Sequence, residues 1–261
     1  MVEKLTGPAI EQAIAGRAKI KVVVVEQTES TQLLAKNYLA HHNNEEPVVF
    51  VANQQSGGYG QHGRHFYSPA ESGIYLSLLL PPQRLQQLRK AGLLTTSVAV
   101  ILAEVLEQYF PQVHLSLKWV NDVFLGPKKV AGILTEAVYQ LGTPAASLII
   151  GIGVNLTTQN FPAMLANKAG ALGEADNVDH NQLVADLLVA LIRMLADYAD
   201  GKYLAEYRQR CFLLGRTVAV KTARGVSKGI AVDISKNGGL VIDCDGKRQI
   251  IHSGEVEKVN F

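Results

Sequence analysis

Four segments of this chain gather residue types that can handle an anionic ligand. Gln55-Ser56-Gly57-Gly58-Tyr59-Gly60-Gln61-His62-Gly63-Arg64 carries four glycines in ten residues and ends on a guanidinium. Each such glycine costs roughly 1 kcal/mol of backbone entropy relative to alanine. Chains carry that cost where backbone N–H groups must approach a ligand or where a loop folds over one; the plain alternative is a long connection between strands. Lys118-Trp119-Val120-Asn121-Asp122 and Lys128-Lys129-Val130-Ala131-Gly132-Ile133-Leu134 follow, then Gly151-Ile152-Gly153-Val154-Asn155. Lys129 opens a strand just after a turn, so its long side chain projects a point charge with three rotatable donors, suited to a group whose geometry changes in reaction. The planar fork of Arg64 matches phosphate oxygens. Glycines alternating at a strand's end, as at Gly151 and Gly153, let a flat ring lie against bare backbone. No third glycine opens a helix here, so this is not a dinucleotide fingerprint. Asn121 and Asp122, taken alone, are ordinary turn formers.

The elements that must hold these residues are legible in outline. Thr6–Gly16 reads as a short helix with a threonine cap, an early proline and a glycine stop. Ile20–Glu26 is a β-branched run and predicts a buried strand. Ser30 and Thr31 offer cap oxygens to a helix reaching about Ala40. Strands are predicted over Val48–Asn53 and Tyr75–Leu80, then a long apolar helix over Thr95–Phe110. Leu115–Trp119, Val123–Leu125 and Val130–Tyr139 read as strands, with Gly126 and Pro127 turning the last two into a hairpin. Leu148–Ile152 closes the block of strands, and Gln182–Tyr198 is an amphipathic helix. The alternation argues for a mixed sheet with helices mainly on one face. After Phe212 the character changes to short strands, Val218–Lys221, Gly229–Ile234, Leu240–Asp243 and Lys247–His252, with tight turns at Asn237-Gly238 and Asp245-Gly246. A boundary near Leu213–Gly215 therefore separates a domain of residues 1–213 from a small β-module of residues 214–261, too small to stand alone and expected to dock on the larger part.

Bulk properties narrow the function classes. The 261 residues are 48% hydrophobic and 18% charged, ordinary for a globular chain, and a net charge of +2 does not advertise a nucleic-acid partner. Purely aliphatic runs such as Val22–Val25 are far too short to span a bilayer, and Met1–Pro8 lacks the apolar stretch of a secretory signal. Two cysteines, Cys211 and Cys244, give neither a disulfide framework nor metal spacing. A cytoplasmic enzyme with no membrane partner fits these facts.

In order and spacing the four segments resemble the catalytic core of the biotin protein ligases, over nearly the whole chain from about Ser30. The Lys118–Asp122 and Lys129–Leu134 motifs are the most specific part of the likeness. The resemblance implies an α+β fold, a mixed sheet with helices mainly on one face plus a small C-terminal SH3-like β-barrel. It implies two steps: biotin and ATP give biotinyl-5'-AMP and pyrophosphate, and a lysine of a biotin carboxyl carrier protein then takes the biotinyl group. By the likeness Lys129, Arg64 and Asp122 do the chemistry. Ser30, Thr31 and Gln55 hold the ureido ring. Gly58, Tyr59 and Gln61 of the loop, with Lys129, Gly132, Gly151 and Gly153, complete the biotin pocket. Arg64, Phe66, Asn121, Asp122, Lys129 and Asn155 serve ATP, with Mg²⁺ placed at Asp122 and no tightly bound prosthetic group. Lys118 either pairs with Asp122 or faces the acceptor. Some relatives carry an N-terminal helix-turn-helix and act as repressors. Fewer than twenty residues precede the first strand here, room for one short helix, so no DNA partner is expected. An exposed sheet face leaves room for a homodimer.

The chain departs from the family pattern at two points. The loop usually reads Gly-Arg-Gly-Arg, whereas here Gly58-Tyr59-Gly60-Gln61 stand, and Val120 replaces a proline. Without the loop arginines the lid over the adenylate is expected to close less firmly, unless His62 or Arg64 compensates. Two other readings stay open. One is a lipoate ligase-like acyltransferase, against which the β-module and Lys118–Asp122 argue. The other is a non-catalytic biotin-binding or regulatory protein, which the missing arginines permit.

Overall fold

The computed structural model describes residues 4–82, 90–139, 146–174 and 177–259. Its centre is a seven-stranded mixed sheet built from β1 (Lys21–Thr28), β2 (Val48–Gln55), β3 (Gly73–Leu79), β4 (Leu115–Lys118), β5 (Asp122–Leu125), β6 (Lys128–Tyr139) and β7 (Ala146–Asn155). The order is β1-β2-β3-β7-β6-β5-β4. Only β1 and β2 run parallel; the other neighbours are antiparallel. Gly126, at φ +55°, makes the turn that joins β5 to β6. Helices are α1 (Gly7–Ile14), α2 (Thr31–His41), α3 (Ala91–Tyr109), α4 (His180–Met194) and α5 (Leu204–Arg210).

The period of two along each strand gives the sheet two unlike faces. Val49, Val51, Leu76, Leu78, Ile150 and Ile152 point one way, into a core closed by α1, α3 and α4. α3 is apolar on every side and buried accordingly. It has the length and hydropathy (1.4) of a membrane span, yet Leu94, Val98, Val100, Leu102 and Leu106 are fully enclosed by protein. The opposite face meets α2, whose Ala35 and Leu39 pack on Val48, Phe50, Leu79 and Ile149. α2 starts where the Ser30 hydroxyl accepts from the Gln32 N–H at 3.2 Å, an N-cap. α4 starts the same way, with the Asp179 carboxylate accepting from Gln182 N–H at 2.8 Å.

The C-terminal strands form an antiparallel five-stranded sheet of a small barrel-like domain. They are β8 (Thr217–Thr222), β9 (Gly225–Ile234), β10 (Leu240–Cys244), β11 (Lys247–Ile251) and β12 (Glu255–Val259), in the order β11-β10-β9-β8-β12. The Asp245-Gly246 turn has both residues at positive φ, +55° and +84°, as a two-residue hairpin demands. Two elements escape the sequence pattern. α5 is only seven residues long and β12 only five, and three of the five residues of β12 are charged. Boundaries shift as well. α3 begins at Ala91 rather than Thr95, β7 runs on to Asn155, and α4 ends at Met194, with a separate 3₁₀ turn at Tyr198–Asp200. The extension of β7 carries Gly153 into regular pairing with both β3 and β6, and Asn155 into pairing with β3.

The two sheets are joined by specific contacts. The buried Trp119 indole donates to the Gly238 carbonyl at 2.9 Å. Gly92, in the first turn of α3, sits so close to the Asn237 turn that a Cβ there would stand 2.6 Å from the Asn237 carbonyl oxygen. Alanine ordinarily improves a helix over glycine by about 1 kcal/mol. At Gly92→Ala the clash with fixed backbone, about 1–3 kcal/mol for overpacking, overrides that gain. Thermal denaturation should therefore show a lower Tm for Gly92→Ala than for the parent. A raised Tm would mean that the small sheet does not pack there.

Candidate active site

A cleft of about 760 Å³ opens where α2 stops covering its face of the sheet. Strand register sets its floor. Phe50, Ser77, Gly151 and Leu134 form one cross-strand row, and Ala52, Tyr75, Gly153 and Gly132 form the next. Beyond Phe50 these rows combine Ser77 and three glycines with Ala52, Tyr75 and Leu134, so the glycine positions leave bare backbone in the floor. The glycine loop, the start of α2, residues 161–169 and the start of β12 wall it in.

One end of the cleft is neutral and hydrogen-bonding. Gln55 Oε1 accepts from the Thr31 N–H at 2.8 Å, and its Nε2 donates to Ser68 Oγ at 2.9 Å. Thr31 Oγ1 lies 2.9 Å from Ser77 Oγ and 3.2 Å from Gln55 Oε1. Ser77 donates to Gln32 Oε1 at 2.9 Å, and Gln32 Nε2 donates to Glu136 Oε2 at 2.8 Å. Lys36 closes this chain with 2.9 Å to Glu136 Oε1 and 3.1 Å to the Tyr59 hydroxyl. Burial works against the Lys36 charge, but the bonds to Glu136 and Tyr59 outweigh it and hold the ammonium pKa above its ordinary value. Sequence reasoning found Ser30, Thr31, Gln55 and Tyr59 but missed Gln32, Lys36, Ser77 and Glu136. Ser77 had a signal, a small polar residue inside the fully buried strand β3. So had Glu136, which shares a face of β6 with Gly132 and Leu134.

The other end is charged. Lys129 Nζ lies 2.6 Å from Asp122 Oδ1, both half-buried. A Cβ at Gly132 would stand 3.0 Å from that ammonium, so the glycine leaves the lysine its place. Lys118, one of the two alternatives for which was a pair with Asp122, instead donates to the Val256 carbonyl of β12 at 2.8 Å. Burial lowers its pKa, with the nearby Lys129 and Arg64 adding to the effect and Asp122 and Glu255 opposing it. Arg64 pairs with Glu255 of β12 and also reaches back to its own loop at Gln61 O. Glu255 had no sequence signal, because its strand belongs to the other sheet.

Between the two ends lies Phe66. A Cβ at Gly153 would meet its ring at 2.6 Å, and one at Gly151 would meet Gln32 Oε1 at 2.7 Å. The flat group that the bare strand end admits in this state is thus the protein's own phenyl ring. Asn121 and Asn155 both line the cleft but use their Nδ2 atoms on backbone carbonyls, Ile133 at 2.6 Å and Gly170 at 2.9 Å. Asn155 Oδ1 remains buried with no hydrogen-bond partner, an acceptor left unused in this state. Gln61 lines the cleft rim. Gly58 is not a lining residue. Its bare Cα lets the loop fold on itself, since a Cβ would fall 2.7–2.9 Å from Gln55, Ser68 and Phe66. The positive charge lost from the loop at Tyr59 returns from an unforeseen direction, Lys36 on α2. His62 is exposed, at φ +58°, and is not part of the cleft lining.

Comparison with known proteins agrees with this arrangement. Residues 24–155 match the Biotin/lipoate A/B protein ligase family, and residues 213–259 match the Biotin protein ligase C terminal domain. The biotin–[acetyl-CoA-carboxylase] ligase of Mycobacterium tuberculosis is 31% identical over 256 residues, covering 93% of this chain and 90% of its own. The bifunctional ligase/repressor BirA of Bacillus subtilis is 28% identical, over 87% of this chain and 71% of its own. The Aquifex aeolicus biotin protein ligase, solved in complex with biotin and ATP, superposes with a TM-score of 0.74 at 27% identity, over 90% of this chain and 97% of that one. This chain belongs to the biotin/lipoate A/B protein ligase family, and within it to the biotin protein ligases.

Proposed function

We propose that this protein is an ATP-dependent ligase that forms biotinyl-5'-AMP and transfers biotin to a lysine of a biotin carboxyl carrier protein. The observation that carries the reading is the polarity of one cleft: a neutral hydrogen-bonding end at Ser30, Thr31 and Gln55, and a paired cation, Lys129 with Asp122, at the other. A cyclic urea offers one strong acceptor and two donors, which hydroxyls and an amide satisfy. The biotin carboxylate then reaches the charged end, where the α-phosphate of ATP must also come.

In the first step a carboxylate oxygen attacks the α-phosphorus, the bond to the β-phosphate breaks, and pyrophosphate leaves. Two anions approach each other, so positioning and positive charge do most of the work. Lys129 supplies that charge, aimed by Asp122, and Arg64 leaves Glu255 for the phosphates. Asn121, Asn155 and Phe66 hold the nucleotide. The Asp122 carboxylate, one of three acids that line the cleft, fits Mg²⁺, which binds through one or two carboxylates plus phosphates and water; Asp122 would hold it, and it would screen the phosphate charge. In the second step the acceptor amine attacks the acyl carbon, the bond to AMP breaks, and the amine gives up its proton. Until then the glycine loop must exclude water from the mixed anhydride. We place the work in the cytoplasm, where ATP and carboxylases meet, and the division into catalytic residues 1–213 and a C-terminal module follows the sequence boundary.

Lys129→Ala removes a charge whose contact strengthens as the two anions join. Single-turnover adenylate formation should fall about 10²–10³-fold, with the melting temperature of the protein little changed. A rate within threefold of the parent would remove Lys129 from the chemistry.

The rim at Gln61 carries no charge, so the closed loop lacks one charge-assisted hydrogen bond, worth roughly 1.5–3 kcal/mol. The parent should therefore leak adenylate and label both itself and serum albumin when given ATP and biotin without carrier. Gln61→Arg should cut the albumin signal severalfold on the same blot while carrier labelling holds or rises. Negligible labelling by both proteins would mean that the Lys36–Tyr59 contact already closes the loop.

A further inference from the structure

The hydrogen-bond chain beneath the neutral end of the cleft has one proton direction, and it is set from the far end. Glu136 is ionised against Lys36, and a carboxylate only accepts, so Gln32 must turn its NH₂ toward Glu136 Oε2 at 2.8 Å. That orientation also lets Nε2 reach the Ile149 carbonyl at 3.4 Å. The Gln32 amide oxygen then faces Ser77, which donates to it at 2.9 Å. With its proton committed, Ser77 accepts from Thr31 Oγ1 at 2.9 Å. The other neighbour of the Thr31 hydroxyl, Gln55 Oε1 at 3.2 Å, is an acceptor too. Every available use of the Thr31 proton is internal, so toward the cleft its oxygen shows only lone pairs.

We propose that Glu136, clamped by Lys36, is a specificity-determining positioning residue. Through Gln32 and Ser77 it fixes Thr31 as a pure acceptor for a ureido N–H. This rests on the reading of the cleft as a biotin site. The Lys36–Glu136 pair touches no reacting atom. It sets the direction of the chain, and through the Tyr59 hydroxyl it ties the same anchor to the glycine loop.

A conflict can be written into the chain without changing its shape. In Glu136→Gln the new NH₂ must face either the Lys36 ammonium or the Gln32 NH₂, and both are donors. With Lys36 present the amide oxygen goes to the cation, which drives Gln32 to turn over. Ser77 then receives a proton from Gln32 and passes its own to Thr31. One of the two Thr31 lone pairs is now occupied by Ser77, and the threonine proton is left with the longer contact to Gln55 Oε1 at 3.2 Å. In Lys36→Met/Glu136→Gln the conflict disappears, because the new NH₂ can point at the methionine and the oxygen at Gln32.

The test measures biotin Kd by calorimetry together with kcat and both KM values by pyrophosphate release. Glu136→Gln should weaken biotin about tenfold in Kd and KM, the effect of one misdirected hydrogen bond. Its kcat and ATP KM should stay within threefold of the parent. Lys36→Met alone should change biotin Kd less than threefold, and the double variant should return it to within threefold of the parent. An unchanged Kd in Glu136→Gln, or a double variant no better than the single one, would overturn the proposal. A general packing role would lower Tm and shift all the constants together, with no rescue. A parent that binds biotin but releases no pyrophosphate would sink the ligase reading and leave the Kd comparison standing.

Discussion

Everything at the active site depends on one sheet face being only half covered. α1, α3 and α4 close the other face completely, burying Val49, Leu76, Ile150 and their neighbours. On the open face α2 is eleven residues long, and its apolar contacts reach Phe50, Leu79 and Ile149. Past that point the cross-strand rows change from large apolar residues to Ser77, Gly151, Gly153 and Gly132. A face of this kind cannot join the core, and it cannot be filled by its own side chains. It becomes a floor, and the start of α2 becomes the wall that carries Ser30, Thr31 and Gln32. The fully packed side gives this floor its rigidity, because three tight layers of helix and strand leave the central strands no room to shift.

The second sheet completes the site from outside. Its β12 brings Glu255 to Arg64 and the Val256 carbonyl to Lys118. Trp119, immediately after Lys118, is bonded to the Gly238 turn of the same sheet. The Lys118-Trp119-Val120-Asn121-Asp122 segment thus works in two directions, outward to hold the C-terminal sheet and inward to place Asp122 against Lys129. Positive charge in the cleft is held by neighbouring acids and carbonyls in this state.

Most of the residues singled out in the sequence line the cleft, for a physical reason. Chemistry that needs bare backbone, a mobile cation and a cap hydroxyl uses residue types that stand out from their surroundings, as at Gly151, Gly153, Lys129 and Ser30. The open alternation of short strands with one long apolar helix likewise predicted a mixed sheet with helices mainly on one face, as found. What stayed hidden depends on neighbours distant in the chain. Glu136 and Lys36 are a hundred residues apart and read as ordinary surface charges until strand register and α2 bring them together. Glu255 lies in a five-residue strand of the other sheet. Tyr59 reads as the loss of an arginine, and only the fold shows a lysine arriving at its hydroxyl from α2. Gly58 and Phe66 show the reverse case, conspicuous residues whose immediate contacts are with the protein itself.

The central claim is that this cleft activates biotin on its own, before any acceptor protein arrives. The most direct measurement mixes the purified protein with biotin and ATP in the absence of carrier and follows pyrophosphate in the first turnover. The account predicts a burst of about one pyrophosphate per protein molecule with biotin, matched by an equal amount of bound biotinyl-adenylate, and no burst with lipoate. A burst with lipoate instead of biotin, or none with either, would contradict it.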